Sequence, residues 1–352
     1  MAKKQKKLGK HVVNLVFIKI MKPQTKSIQK KRGMIDDTYK DNKLWAGIVS
    51  IFEFLCNLFP TRKANRELIV ELKEGTRNSE YIKETDSRAY NDWIKHANRI
   101  RKLILHGNPN KFLQWAPIKD TMNITNSKFI IEELNDLKKS PHWDSLWKNT
   151  TMETKIGGQL PFILYPKSSG NTIHLTYIIS KFKEKTGKNF TDLDFIFEFG
   201  GGYGNLCRLI HKLGFRGKYI IFDLPIFSAL QKFYLKSSGL PVYASSEIGI
   251  QRKGVFCIDD MKALIEMEFP NRDKSLFIAT WSLSETSLKA RQTIEKFLSN
   301  FNYFMMGYQD KFGEVNNREY FDKLKKERND ILWYDWPFKQ LPAHNLLMGK
   351  NK

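Results

Sequence analysis

Apolar and polar positions along this 352-residue chain change period several times, and each change marks an element. Trp93, Ala97, Ile100 and Ile104 recur at i, i+4, i+7 and i+11, and Phe129, Ile130, Leu134 and Leu137 form a second stripe that stops at Ser140-Pro141. Both stripes predict amphipathic helices, because residues three and four apart share one helix face. Ser169-Gly170-Asn171 supplies capping side chains ahead of Ile173, Tyr177, Ile178 and Phe182, which predicts a helix ending near Gly187. Beyond it the period shortens. Apolar runs over 195–199, 218–222, 254–258, 275–280 and 303–308 predict buried strands, and the helical patterns between them predict βαβ units.

The first of these strands runs into a glycine turn. Glu198, Gly200, Gly202 and Gly204 spell E-x-G-x-G-x-G, and Leu206, Leu209, Ile210 and Leu213 then follow helical spacing up to Gly214. A dinucleotide fingerprint would need glycine where Asn205 or Cys207 stands, so that register fails. A glycine turn opening a helix leaves backbone N–H groups and the positive helix end facing a ligand. Asp223 ends the next strand, about twenty residues on, where a carboxylate can accept both hydroxyls of a ribose. The competing reading is that Asp223 only caps the helix begun by Leu224-Pro225.

Residues 195–235 resemble the sugar O-methyltransferase family of class I S-adenosylmethionine-dependent methyltransferases. Ser168-Ser169-Gly170-Asn171-Thr172-Ile173-His174 and Ala279-Thr280-Trp281-Ser282-Leu283-Ser284-Glu285 are similar to that family too, and the likeness spans roughly residues 90–349. The resemblance implies an α/β fold with a Rossmann-like class I sheet, mostly parallel with its last strand antiparallel, behind an N-terminal helical region. It also implies S-adenosylmethionine as methyl donor, a sugar or glycan hydroxyl as acceptor, and a donor site formed by Glu198, Gly200, Gly202, Gly204 and Asp223.

By the same resemblance Asn171 contacts the donor and His174 faces the reacting centre, the plain alternative being a surface histidine on a helix. Asp259 and Asp260 follow the 254–258 strand, where this fold places an acid near the adenine amino group; Asp259 is the candidate, and both can instead begin a helix. Trp281-Ser282-Leu283-Ser284-Glu285 lacks the Asn-Pro-Pro-Tyr type sequence of base amino-group methylation, and there is no Pro-Cys nucleophile, which leaves oxygen as the acceptor atom. Methyl transfer to a hydroxyl needs alignment and removal of a proton, so His174 and Glu285 are the candidate bases. Glu285 has an alternative as the ion-pair partner of Lys289. Residues 331–337 and 344–349 suit a terminal antiparallel pair, and His344 is expected to be structural.

Composition adds limits. Hydrophobic content of 41% with 13% aromatics describes a globular chain, and 352 residues suffice for a large domain plus a smaller region. The net charge of +22 is concentrated at the start, where eleven Lys and Arg precede the first acid, Asp36. Residues 1–43 are therefore read as a basic flexible tail, 44–150 as a helical accessory region and 151–352 as the methyltransferase domain. Cys56, Cys207 and Cys257 cannot all pair and show no metal-like spacing, which points to a reducing, cytoplasmic setting without a structural metal. Lys19 interrupts the early apolar stretch, and Glu53 and Asn57 interrupt that at 44–60, so neither reads as a membrane span. The basic start and the 44–60 helix together suit peripheral contact with an anionic membrane, against simple docking on the catalytic region. The charge also raises a nucleic-acid (RNA) methyltransferase as an alternative, and a non-catalytic interaction protein is the third reading.

Overall fold

In the computed structural model, residues 43–58, 61–78, 88–265, 267, 269 and 271–352 are described; the tail residues 1–42 lie outside them. The strands are β1 (Phe195–Phe199), β2 (Lys218–Phe222), β3 (Val242–Tyr243), β4 (Gly254–Ile258), β5 (Ser275–Thr280), β6 (Tyr303–Gln309), the small hairpin of β7 (Lys311–Phe312) and β8 (Val315–Asn316), β9 (Ile331–Pro337) and β10 (His344–Asn351). Eight of them form one sheet in the order β3-β4-β2-β1-β5-β6-β10-β9. β1 lies parallel to both β2 and β5, with Phe197 opposite Ile220 on one side and Phe277 on the other. β10 runs antiparallel to β6 and to β9, with Leu347 facing Met306 and Asp335. This is the Rossmann-like sheet expected from the sequence, mostly parallel, with its last strand β10 antiparallel to both neighbours.

The strands read as unbroken apolar runs because both sheet faces are covered. Phe195 and Phe197 point into a core with Ile220, Phe256, Phe277, Phe301 and Phe304, whereas Ile196 points into the opposite core with Tyr219, Ile221, Cys257 and Ile278. The helices are α1 (Lys43–Asn57), α2 (Arg66–Asn78), α3 (Arg88–His106), α4 (Phe129–Lys139), α5 (Gly170–Thr186), α6 (Asn205–Lys212), α7 (Pro225–Ser237), α8 (Met261–Ile265), α9 (Leu288–Glu295) and α10 (Asn317–Glu327). Ser169 caps α5 by accepting the Thr172 N–H, and Gly187 closes it in the left-handed region at φ 72°. Leu72 of α2, Ile100 and Ile104 of α3, and Ile130 and Leu134 of α4 join the Ile196 core. The helical region thus shares its core with the sheet.

α1 docks through a half-buried face that carries Ile48, Phe52 and Leu55 together with polar contacts. Trp45 Nε1 donates to Asn126 O at 2.9 Å, and Glu53 faces Lys119 at 3.5 Å and accepts from Asn126 Nδ2 at 3.3 Å. Ile51, Phe54 and Leu58 are exposed. Glu53, which argued against a membrane span, is a docking contact, and no helix among the described residues is long and apolar enough to cross a membrane.

A buried polar cluster ties α5 to α6. Ser169 Oγ and Thr172 Oγ1 donate to Glu153 Oε2 at 2.8 and 2.6 Å, Arg208 lies 3.6 Å from Glu153, and Asn205 accepts from Arg208 and Tyr234. Burial pushes the Glu153 carboxyl up, but Arg208 and the two hydroxyls outweigh it and hold it below its ordinary value. Arg208→Met is expected to lose about 3–5 kcal/mol, because it strands a buried carboxylate. Urea denaturation checks this, with Arg208→Met plus Glu153→Leu recovering part of the loss since no charge is left unpaired.

Candidate active site

The sheet order reverses at β1, whose two neighbours β2 and β5 are reached by connections running to opposite sides, and ligands of open α/β sheets sit outside the carboxyl ends at such a point. A cleft of about 1120 Å³ lies there, lined by residues that follow β1, β2, β4 and β5 and by α5. Its floor is the glycine turn. Gly200 has φ 72°, and a Cβ there would lie 2.3 Å from Ser282 Cβ. Only glycine allows the turn after β1 to pack against the turn after β5, where Ser282 Oγ donates to Phe199 O. Gly202 lines the cleft as well, but Gly204 does not: it is the N-cap of α6 at φ 93°, packed 3.2 Å from Leu235 for any Cβ. Its place in the motif serves the helix start.

Asp223 lines the cleft, and α7 starts at Leu224 without a side-chain cap, so the capping alternative does not hold. Oδ1 accepts the Leu224 N–H at 2.8 Å and Oδ2 accepts Gln231 Nε2 at 2.8 Å, while Gln231 also donates to Gly202 O at 2.9 Å. Burial nevertheless pushes this carboxyl to about 7. Glu198, 1% exposed, accepts from Tyr219 OH at 2.9 Å and is pushed to about 8 by burial and by Asp223. Asn171 Nδ2 donates to Tyr203 OH at 2.7 Å on the cleft wall. The two adjacent acids divide: Asp259 lines the cleft, and Asp260 Oδ1 accepts the Lys262 N–H at the start of α8.

His174 and Glu285 complete the wall. His174 Nδ1 lies 2.9 Å from both oxygens of Glu133, and its buried Nε2 has no hydrogen-bond partner among the described residues. The ring sits among Phe129, Trp281 and Phe338, at 5.7, 5.4 and 5.8 Å between centroids. Trp281 holds a strained φ of 64° and donates Nε1–H to His344 Nδ1 at 2.8 Å. His344, expected to be structural, holds Trp281 in this way and also lines the cleft. Glu285 bonds to Gln309 rather than pairing with Lys289, and burial pushes it to about 8.

Sequence reasoning missed Glu133 altogether, along with Trp93, Met122 and Ile124 on the cleft wall. Its signal was a charged residue on a buried face: position 133 lies with Ile130, Leu134 and Leu137 on the inner side of α4.

No family model and no curated protein matches the chain. Among solved structures it is similar to the methyltransferase domain of bacterial CtHen1, at 12% identity and TM-score 0.37 over 50% of this chain and 97% of that one. It is also similar to the SAH-bound methyltransferase PaMTH1 of Podospora anserina, at 10% identity and TM-score 0.34 over 78% and 100%. A third is the METTL16 methyltransferase domain, at 10% and 0.35 over 51% and 67%. The fold assignment rests on the strand order and register.

Glu285 has a consequence for stability. Its folded pKa of about 8 stands above an unfolded value of about 4.3, so the folded state holds the extra proton between them. Stability is full below the lower value and falls as pH rises toward the upper one. Glu285→Gln is expected to match the wild-type melting temperature near pH 4 and exceed it at pH 8, as scanning calorimetry across that range would show.

Proposed function

We propose that this chain is an S-adenosylmethionine-dependent O-methyltransferase acting on a sugar hydroxyl of a nucleotide sugar, a glycan or a lipid-linked saccharide. The observation that carries this reading is His174: Nδ1 is engaged by Glu133 and Nε2 is unpartnered, in the same cleft as the glycine turn and Asp223. The cleft suits the donor because the glycine turn lines it, a Cβ at Gly202 would meet nothing nearer than Met122 at 3.6 Å, and Asp223 and Asp259, the candidates for the ribose hydroxyls and the adenine end, line it too. Bound there, S-adenosylmethionine supplies an electrophilic methyl group.

The chain's own residues handle the hydroxyl. His174 Nε2 accepts its proton, and the imidazolium so formed stays paired with Glu133. An orphaned buried acceptor costs about 1–3 kcal/mol, which a bound hydroxyl at Nε2 recovers. Glu285, pushed to about 8, is protonated at neutral pH and acts as a hydrogen-bond donor to the acceptor in place of a base. Trp93 and Trp281 line the cleft, and aromatic lining suits the C–H groups of a sugar ring. Nucleic acid is less favoured: among the described residues Lys289 alone brings a Lys or Arg charge to the cleft wall, and phosphate contacts need several.

Single-turnover transfer of labelled methyl from S-adenosylmethionine, offered nucleotide sugars, lipid-linked saccharides and RNA in parallel, tests the proposal. Label is expected on a saccharide, and His174→Ala is expected to lower the rate about 10²- to 10⁴-fold while donor binding persists. Label on RNA alone would replace the acceptor class, and an unchanged rate in His174→Ala would remove it as the base.

A further inference from the structure

We propose that Glu133 is the positioning residue of this site: it holds the His174 proton on Nδ1 and so keeps Nε2 as the lone-pair atom presented to the acceptor. What Nε2 meets rests on the methyl-transfer reading above; the clamp itself rests on contacts.

The Glu133 side chain is 0% exposed, and both its oxygens lie 2.9 Å from Nδ1. Gln340 Nε2 donates to Oε1 at 2.8 Å, so the carboxylate accepts from an amide on one side and from the imidazole on the other. No Lys or Arg pairs with Glu133 among the described residues. A fully buried carboxylate costs several kcal/mol of desolvation unless a cation compensates, and a purely structural α4 position would hold an apolar residue in line with Ile130, Leu134 and Leu137. The gain is specific to the histidine. With the proton on Nε2, the Nδ1 lone pair would face the carboxylate, which is repulsive; with the proton on Nδ1 it is a charge-assisted hydrogen bond.

The proton inventory closes without further groups. The hydroxyl proton passes to Nε2, and the Nδ1 proton stays on the ring, hydrogen-bonded to Glu133. The clamp also spans three separated parts of the chain, α4, α5 and the segment after β9. Gln340 belongs to the stretch that brings Leu341 and His344 to the cleft, so the wall facing the acceptor and the base are joined through one carboxylate.

The test pairs spectroscopy with kinetics on the full chain. Long-range ¹⁵N–¹H spectra, with His174→Gln identifying the signal, are expected to show the Nδ1–H tautomer in the wild type and its loss in Glu133→Leu. The isosteric Glu133→Gln guards against a variant that fails to fold. It is expected to lower kcat about 10²- to 10⁴-fold with acceptor KM and donor Kd within about threefold of wild type, and Glu133→Asp to recover part of that loss. An Nε2–H tautomer in the wild type, or kcat in Glu133→Gln within about threefold of wild type, overturns the proposal. An Nδ1–H tautomer that depends on Glu133, in a wild type that transfers no methyl, supports the clamp and counts against the methyl-transfer reading alone.

Discussion

The close approach of two turns, at Gly200 after β1 and Ser282 after β5, is the constraint on which the site depends. A side chain at Gly200 would meet Ser282 at 2.3 Å, so β1 and β5 could not end side by side with their turns in contact. The sheet order reverses at β1, and both turns line the cleft there. Asp223 reinforces it from the other side, accepting from Leu224 and from Gln231, which also donates to Gly202. The turn is thus held between β2 and β5 before any ligand arrives, and preorganised polar groups lose little on binding.

The acids around the cleft carry different physics. Glu198, Asp223 and Glu285 lack a cation in contact, and burial raises all three toward or past neutrality. Glu153, hydrogen-bonded to the first turn of α5, has Arg208 and stays low. Glu133 is engaged by an imidazole and an amide. The fold thereby accepts several groups that weaken it at neutral pH, and these are concentrated at one cleft. Perturbed acids gathered in a cavity beside an orphaned imidazole nitrogen are what a proton-handling site requires.

How much was legible follows from how local each signal is. The βαβ units, the glycine turn and Asp223 were visible because strand, turn and helix patterns lie within forty residues of one another. Asn171 and His174 came from resemblance, and the structure places both on the cleft wall. Glu133 carried one local signal, a charge on the apolar face of α4, but its partner lies 41 positions away. Gln340, 207 residues from Glu133, had no local signal at all. His344 looked structural at the head of β10, and only the fold brings it to Trp281. β3 and the β7–β8 hairpin, two residues per strand, are too short to carry a period. Gly204 fitted the motif by spacing, yet spacing cannot separate a cleft wall from a helix start.

Calorimetric titration of S-adenosylhomocysteine into the wild type and Asp223→Ala, with NAD as a control, tests the central claim most directly. The expected result is saturable binding to the wild type, weakened at least about tenfold in Asp223→Ala by the loss of hydrogen bonds to a charged group, and no binding of NAD. A folded wild type that takes up no S-adenosylhomocysteine, or prefers NAD, would contradict the assignment of this cleft to a methyl donor.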